Sequence, residues 1–264
     1  ADAFFEFPSG REAKGFIISG PAGVGKTYWM GYIIDIIMPR YLETCKLIGV
    51  DPDYDSVTMT ATTNKAAEVL EFATGRTTQT IHSFLNLTLY EDYESGKTKL
   101  NKNPRTWTVH EQKIIFIDEC SMIDSQLFNI IGEGTHQCKI VYVGDRNQLA
   151  PVTEKLSPVY QQGYQMFELT EQMRTSVPAL MALNQQLRDT VETGIFNPIH
   201  EVPGIIEYLD DVNMQKMLDI TFANQTKESR VLAYTNRRVV EFNDNIRQKR
   251  MLPDSFQAGG ILVN

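Results

Sequence analysis

A glycine-rich segment near the start of the chain combines residue types that could bind a phosphate chain. The pattern GxxxxGK[ST], placed between an apolar run and an amphipathic one, is matched by Gly20, Pro21, Ala22, Gly23, Val24, Gly25, Lys26 and Thr27. Glycines let the backbone curl so that its N–H groups face a phosphate, and a following helix adds positive dipole character. Lys26 can then reach the β- and γ-phosphates while the Thr27 hydroxyl binds Mg²⁺. The segment predicts a nucleoside triphosphate site.

Two adjacent carboxylates end a later apolar run, residues 113–117. Asp118 is placed to hold Mg²⁺ together with Thr27, as the second-motif aspartate of P-loop ATPases does. Glu119 could orient and deprotonate an attacking water. Strand ends are often acidic and solvated, but the pair lies downstream of a phosphate loop and therefore predicts hydrolysis of the nucleotide.

The elements that must position these groups alternate between short apolar strands and longer amphipathic helices. This rhythm predicts an α/β fold with a mostly parallel sheet buried on both faces. The predicted strands are 16–19, 57–61, 114–118, 140–143 and 167–169. The predicted helices are 26–38, 65–73, 125–131 and 177–190. The first helix is expected to stop near Pro39, since proline cannot donate the next helical hydrogen bond.

The domain boundary is expected after the fourth helix. Residues 1–190 form one complete domain, and the segment 191–203, rich in turn formers, is a plausible linker. A second strand-helix unit, 230–235 followed by 237–249, begins another domain that spans 191–264. Between two core strands, residues 86–107 alternate apolar and polar types around a turn signal, Glu94 to Lys97. This insertion predicts a small β-hairpin, although a long surface loop fits the local sequence nearly as well.

Composition limits the protein class without naming a partner. The formal net charge of −8 argues against a protein that coats nucleic acid through overall positive charge, but it allows a local groove. Three scattered cysteines, with no CxxC, indicate free thiols rather than a disulfide framework or a zinc site. No apolar run approaches the ~20 residues that span a bilayer, and no basic leader opens the chain. A cytoplasmic protein with no membrane partner is the expectation, in the host cell if the source is viral.

Two further segments narrow the class of ATPase. Residues 143–152 contain the pattern GDxxQLxPV, which resembles motif III of superfamily 1 helicases, and residues 169–174 resemble their motif IV. The resemblance implies that Gln148 senses the γ-phosphate of ATP and that Arg174 stabilises charge in the transition state. Arg174 could instead be a surface arginine in an ion pair of little energetic value.

Other segments resemble the strand-binding motifs of the RecD/Dda-like branch of that superfamily. The resemblance to motif Ia implies DNA contacts from Thr62, Asn64 and Lys65, while Thr63 or Asn64 could equally cap a helix. The resemblance to motif Ib implies contacts from His82, Ser83 and Phe84, which could alternatively be a packed histidine and a core ring. The resemblance to the start of a second motor domain implies contacts from Thr235, Asn236 and Arg237.

The fold that this resemblance implies is a RecA-like P-loop NTPase domain followed by the beginning of a second one. The hairpin at 86–107 lies where the branch places its 1B insertion, so Tyr90, Tyr93 or Trp107 could stack on a fork base pair. No Leu-Thr-x-x-Gln adenine motif precedes Gly20, and Phe4, Phe5 and Phe7 are candidates to stack on the base instead. Motifs V and VI of the family are absent from these 264 residues, so a truncated or incomplete chain is expected.

Three functions follow from these patterns. The first is an ATP-dependent helicase that moves 5′-to-3′ on single-stranded and fork DNA, with replication or recombination proteins as possible partners. The second is a half-motor that binds nucleotide and DNA beside a partner without turning over alone. The third is an unrelated P-loop ATPase that remodels proteins. Salt-sensitive binding to single-stranded DNA separates the third from the other two.

Overall fold

The computed structural model describes residues 15–92, 97–152, 154–224, 226 and 228–253, with the backbone alone for 89–92 and 97–99. Over these residues the strands are β1 (Gly15–Ser19), β2 (Ser56–Ala61), β3 (Thr78–Thr80), β4 (Leu87–Asp92), β5 (Lys97–Lys102), β6 (His110–Glu111), β7 (Lys113–Asp118), β8 (Thr135–His136), β9 (Lys139–Gly144) and β10 (Gln165–Glu168). The helices are α1 (Lys26–Tyr32), α2 (Met38–Ile48), α3 (Asn64–Thr74), α4 (Ile81–Phe84), α5 (Ser125–Glu133), α6 (Pro178–Thr193), α7 (Asp211–Thr221) and α8 (Asn236–Lys249).

A parallel sheet carries the groups singled out by the sequence. Its strand order over the described residues is β10-β1-β9-β7-β2-β3, and every neighbouring pair is parallel. Carboxyl ends of parallel strands lie at one edge of a sheet. The phosphate loop after β1, the carboxylates after β7 and the turn after β9 therefore share that edge. The predicted parallel α/β architecture is confirmed.

Each face of the sheet packs against its own hydrophobic cluster. Ile115, Ile117 and Tyr142 pack on one face with α5, whereas Phe116, Val141 and Val143 pack on the other with α1 and α3. Because side chains alternate across a strand, a continuous apolar run supplies both faces at once. This double burial makes β7 and β9 rigid supports for the residues that follow them.

The first helix does not stop near Pro39, so that expectation was wrong. A π-helical turn, Ile33–Ile37, follows α1 and leads directly into α2, which ends at Ile48 with Gly49 in the left-handed region (φ 70°). Pro39 lies in the first turn of α2, where the missing backbone N–H costs little. The π turn thus restarts the helix instead of ending it.

The predicted hairpin is confirmed. β4 pairs with β5 in antiparallel register, from Leu87 opposite Lys102 to Asp92 opposite Lys97. Leu87 and Leu100 are partly buried against the cluster that contains Ile117. The turn at 93–96 lies outside the described residues.

The chain divides into two compact units, residues 1–197 and 198–264. The second unit contains α7 and α8, linked by hydrogen bonds from Gln215 to Asn245 (3.1 Å) and from Lys249 to Asp219 (2.9 Å). Helix α8 matches the predicted helix, but the predicted strand 230–235 was wrong, because this segment is irregular in the described part of the unit. Among the described residues of both units, no helix is long and apolar enough to cross a membrane.

Candidate functional site

The phosphate loop is held in a tight curl at the carboxyl end of β1. The Gly20 N–H donates to the carbonyl of Gly144 at 3.1 Å, which ties the loop to the end of β9. Gly23 and Gly25 have φ of +87° and +86°. Only glycine adopts this left-handed region without a steric penalty, so both positions require it. The loop then passes directly into α1, in which Lys26 and Thr27 are the first two residues.

Lys26 is folded back over this loop. Its ammonium donates to the Gly20 carbonyl at 2.7 Å and to the Pro21 carbonyl at 3.0 Å. Burial lowers the pKa of Lys26, while the charges of Asp118, Asp145 and Glu119 act in the opposite direction. Because burial has removed part of its hydration, this ammonium would gain from an anionic partner.

The segment after β10 packs directly on the phosphate loop. The Met173 N–H donates to the Gly23 carbonyl at 2.8 Å, and the Gln172 side-chain amide donates to the Ala22 carbonyl at 3.1 Å. The Arg174 N–H in turn donates to Gln172 Oε1 at 3.0 Å. Arg174 is exposed, and its charge lowers the pKa of Lys26. The structure therefore brings Arg174 to the loop, through a glutamine that sequence reasoning missed although it lies within the motif.

Asp118 and Glu119 stand side by side at the end of β7. Burial first, and then the charge of Glu119, raise the pKa of Asp118 to about 6, while Lys26 acts in the opposite direction. Glu119 has φ of +55°, and its N–H donates to Asp118 Oδ1 at 3.0 Å. Two adjacent, half-buried carboxylates favour a nearby cation.

Mg²⁺ is compatible with the oxygen donors at this edge. Asp118 offers a carboxylate and Thr27 a half-buried hydroxyl, and Mg²⁺ prefers such hard ligands in small number, completed by water and phosphate oxygens. Within the described residues, no group of three or more His, Cys, Asp or Glu could hold a metal ion by itself. A site of that kind is not needed for a cation that arrives with a nucleotide.

Gln148 is presented by a tight turn after β9. Its N–H donates to the Asp145 carbonyl at 3.1 Å, and its side chain is exposed. One open cleft of about 820 Å³ is lined by Gln148, by Asp118 and Glu119, and by Lys65. The cleft is also lined by Thr63, Ala66, Val69, Ser121, Met122, Asn147, Leu149, Ala150 and Val191.

The start of α3 is bound to the carboxylate motif. Thr62 is buried, its N–H donates to the Asp118 carbonyl at 3.2 Å, and its hydroxyl lies 3.3 Å from the Glu119 carbonyl. The Thr62 hydroxyl is thus engaged within the protein, which does not favour the predicted phosphate contact. Thr63 caps α3 by accepting from the Ala66 N–H at 3.1 Å.

The exposed groups at this helix start are Asn64 and Lys65. The Lys65 ammonium lies 2.8 Å from a carboxylate oxygen of Glu68, and both side chains are more than half exposed. Surface ion pairs of this kind contribute little energy, so Lys65 can exchange Glu68 for another anion.

Of the residues assigned to motif Ib, some are accessible at the surface and one lies in the core. Ser83 is exposed, and His82 lines a small cleft of about 190 Å³ with Thr62, Thr63, Leu100, Met122, Asp124 and Leu127. Burial lowers the pKa of His82, with Asp124 opposing. Phe84 is 7% exposed and its ring stacks on His110 at 3.9 Å between centroids. Of the two interpretations of Phe84 left open by the sequence, the structure supports the core ring.

The remaining candidates lie elsewhere. In the second unit, the Thr235 hydroxyl caps α8 by accepting from the Arg238 N–H at 3.3 Å, Asn236 is exposed, and Arg237 Nε donates to Glu241 at 3.1 Å. Trp107 is half-buried against the core, with the Lys102 ammonium 5.1 Å from its ring centre. Phe4, Phe5, Phe7 and Tyr93, and the side chain of Tyr90, lie outside the described residues.

Comparison with known proteins gives one family match and several similar proteins. A family model described as "AAA domain" matches residues 9–199. The ATP-dependent DNA helicase dda of Enterobacteria phage T4 is 27% identical over 261 residues, a match that covers 93% of this chain and 55% of the phage protein. The chain thus spans about half the length of that relative.

Two solved helicases are similar in structure. The Pif1 helicase from Bacteroides, in complex with ADP-AlF3 and ssDNA, gives a TM-score of 0.49 at 14% identity, covering 96% of this chain and 59% of the helicase. The Pif1 helicase from Candida albicans gives 0.44 at 19% identity, covering 88% and 57% respectively.

Proposed function

Since this chain belongs to the AAA domain family, we propose that it is the ATP-binding part of a DNA helicase that moves on single-stranded DNA. The observation that carries the proposal is the shared cleft, in which the carboxylates of Asp118 and Glu119, the amide of Gln148 and the cation of Lys65 line one space. A motor needs such a space, because the nucleotide must alter the contacts that hold the strand. The phage helicase, 27% identical over nearly the whole chain, supports the choice of DNA as the strand.

The proposed chemistry is attack of water on the γ-phosphorus of ATP, with cleavage of the bond to the β–γ bridging oxygen. The N–H groups of the phosphate loop donate to the phosphate oxygens, and the Lys26 ammonium leaves its carbonyl partners to bind the β- and γ-phosphates. Glu119 accepts the proton of the attacking water. The Arg174 guanidinium, beside the loop, neutralises charge that builds on the transferred group. Mg²⁺, held by Thr27 and Asp118, supplies further neutralisation when bound.

The proposed strand side uses the exposed polar groups of motifs Ia and Ib. Asn64 and Lys65 at the start of α3 contact strand phosphates, and Ser83 and His82 contact the strand beside the smaller cleft. Phe84 is left out because its ring is buried. Thr62 instead links the two sides, since its hydroxyl bonds to the Glu119 carbonyl. Three further parts of the proposal rest on the family resemblance alone. They are strand contacts from Thr235, Asn236 and Arg237, movement in the 5′-to-3′ direction, and separation of the duplex by the hairpin.

ATP hydrolysis with and without single-stranded DNA tests the proposal. We expect strand-stimulated hydrolysis by the 264-residue chain, its loss in Lys26→Ala, and weaker, salt-sensitive strand binding in Lys65→Ala. Lys46→Ala is the matched control, because Lys46 is an exposed lysine on α2, away from both clefts. Retained binding of nucleotide and strand without turnover would indicate a half-motor that needs a partner. The absence of strand binding at low salt would reject the DNA assignment.

A further inference from the structure

An ion pair between a buried carboxylate and a half-buried arginine joins helix α6 to the turn that carries Gln148. The Asp145 carboxylate is 4% exposed and the Arg188 side chain 20% exposed, with Arg188 Nη1 2.7 Å from Asp145 Oδ2. The two residues are 43 positions apart in the chain, and Arg188 lies in the last third of α6. The Asp145 carboxylate has lost most of its water, so a charged partner in good geometry matters to it.

Asp145 organises the whole turn around its two carboxylate oxygens and its carbonyl. Oδ1 accepts from the Asn147 N–H at 3.0 Å, and the carbonyl accepts from the Gln148 N–H at 3.1 Å. One turn of helix beyond Arg188, Glu192 accepts from the Asn147 side-chain amide at 2.6 Å. Helix α6 therefore holds the turn at two points, and Gln148 follows directly after the second.

The same ion pair affects the charge balance around the phosphate loop. Asp145 is one of three carboxylates whose charge acts on Lys26. Arg188 binds the Asp145 carboxylate from the α6 side and so partly balances its negative charge. If Arg188 lost its charge, the buried carboxylate of Asp145 would be left without its charged partner.

We propose that Arg188 is a positioning residue for the nucleotide site. By binding Asp145, it fixes the turn in the arrangement that presents Gln148 to the cleft. The inference rests on the proposed function, since it takes Gln148 as the group that distinguishes ATP from ADP. It adds a residue outside every motif considered from the sequence, and it assigns α6 a role in that distinction.

The test measures affinity for ADP and for a non-hydrolysable ATP analogue, so that it does not depend on turnover. In Arg188→Met we expect the preference for the ATP analogue over ADP to fall by about tenfold, within the range of coupling between residues in contact. Arg188→Lys keeps the charge and should restore most of that preference. A merely structural role would lower the melting temperature of Arg188→Met and leave the ratio of the two affinities unchanged, which would overturn the proposal.

A double-mutant cycle tests whether Arg188 acts through Asp145. Asp145→Asn alone should reduce the preference, and adding Arg188→Met to it should cause little further loss; additive losses would reject the mechanism. The double variant removes both charges, so it also keeps the test valid if Arg188→Met alone fails to fold. Arg40→Met, an exposed arginine on α2, is the matched control and should keep the parent ratio.

Two reference variants separate the failure of this inference from failure of the proposed function. Lys26→Ala should bind both nucleotides weakly, and Gln148→Ala should lose preference for the ATP analogue without losing ADP binding. If neither variant alters binding, the proposed nucleotide site is wrong. If both behave as expected while Arg188→Met keeps the parent ratio, the site stands and Arg188 has no positioning role.

Discussion

Two glycines of the phosphate loop have nearly the same backbone conformation but different surroundings, so they form a matched experiment. Gly23 has φ of +87° and Gly25 has φ of +86°. A Cβ added at Gly23 would lie 2.3 Å from Gln172 Oε1 and 2.4 Å from Arg174 Cβ, whereas at Gly25 no described heavy atom lies within 4 Å. Alanine at either position carries the cost of the left-handed region, and only alanine at Gly23 also displaces the segment that holds Arg174.

The expected difference follows from these two terms. The left-handed conformation costs an L-residue about 1–2 kcal/mol, a term common to both variants. Overpacking adds roughly 1–3 kcal/mol, and it applies to Gly23→Ala because the Arg174 Cβ is too close to its own backbone to move away freely. Gly23→Ala should therefore lower the free energy of unfolding by about 1–3 kcal/mol more than Gly25→Ala.

Denaturant unfolding of the nucleotide-free chain measures this difference. The two tryptophans, Trp29 and Trp107, both lie in the first unit, so their fluorescence follows the unit that contains the loop. At about 2–4 °C per kcal/mol for a domain of this size, thermal melts should differ by several degrees. Equal losses in the two variants would show that the contact between the loop and the 172–174 segment does not contribute to stability, and would refute the argument that this contact positions Arg174.

Three further results are expected from other parts of the first unit. Thr63→Ala removes the cap of α3 and should cost about 1 kcal/mol in a denaturant titration; Thr63→Ser should restore it. Phe84→Leu should cost about 1–2 kcal/mol without changing the affinity of the folded chain for single-stranded DNA, and a selective loss of that affinity would return Phe84 to the strand site. Burial lowers the pKa of Lys139 from its ordinary value of 10.5 to about 7, against the opposing charge of Asp53 and with the Tyr54 ring 5.7 Å from the ammonium. Between pH 7 and 10.5 the unfolded chain binds more protons than the folded chain, so the free energy of unfolding should rise with pH by at most about 1.4 kcal/mol per pH unit. Lys139→Met should flatten this slope. An unchanged slope would refute the lowered pKa of Lys139.

The core of the fold was predictable because the central strands are buried on both faces. The runs that became β1, β7 and β9 are apolar at nearly every position, so no choice of face was needed to recognise them. The segment 230–235 has a similar local pattern, yet it forms no strand. A strand needs partners, and in the described part of the second unit the only β-pairing is an isolated bridge between Val202 and Ile206.

The end of the first helix could not be predicted, because it depends on a π-helical turn that has no signal in the sequence. A proline normally ends a regular α-helix, because its ring clashes with the carbonyl four residues earlier. The π turn at Ile33–Ile37 interrupts the regular hydrogen bonds just before Pro39 and lets a new helix start with proline in its first turn. Nothing in the local pattern of residues 33–37 distinguishes this turn from ordinary helix.

The candidate site was predictable where chemistry fixes residue spacing and unpredictable where tertiary contacts do. A loop that encloses a phosphate needs contiguous residues, so the segment from Gly20 to Thr27 forms a recognisable pattern. The contact of Arg188 with Asp145 joins residues 43 positions apart, and the sequence constrains neither the distance nor the partner. Thr62 was recognised as part of a motif, but its hydroxyl bonds to a main-chain carbonyl, a partner that residue types cannot indicate.

The interior place of β1 in the sheet, between β9 and β10, has a consequence for the synthesis of the protein on the ribosome. β1 is synthesised before the other described strands of its sheet, but both of its neighbours, β9 and β10, begin 120 residues or more after it ends at Ser19. Protein synthesis proceeds at about 5–20 residues per second, so β1 and the glycine loop must wait on the order of ten seconds for their hydrogen-bonding partners. During that interval an apolar strand is available to chaperones or to other nascent chains. The site that binds nucleotide in the proposed function is therefore among the last parts of the first unit to assemble.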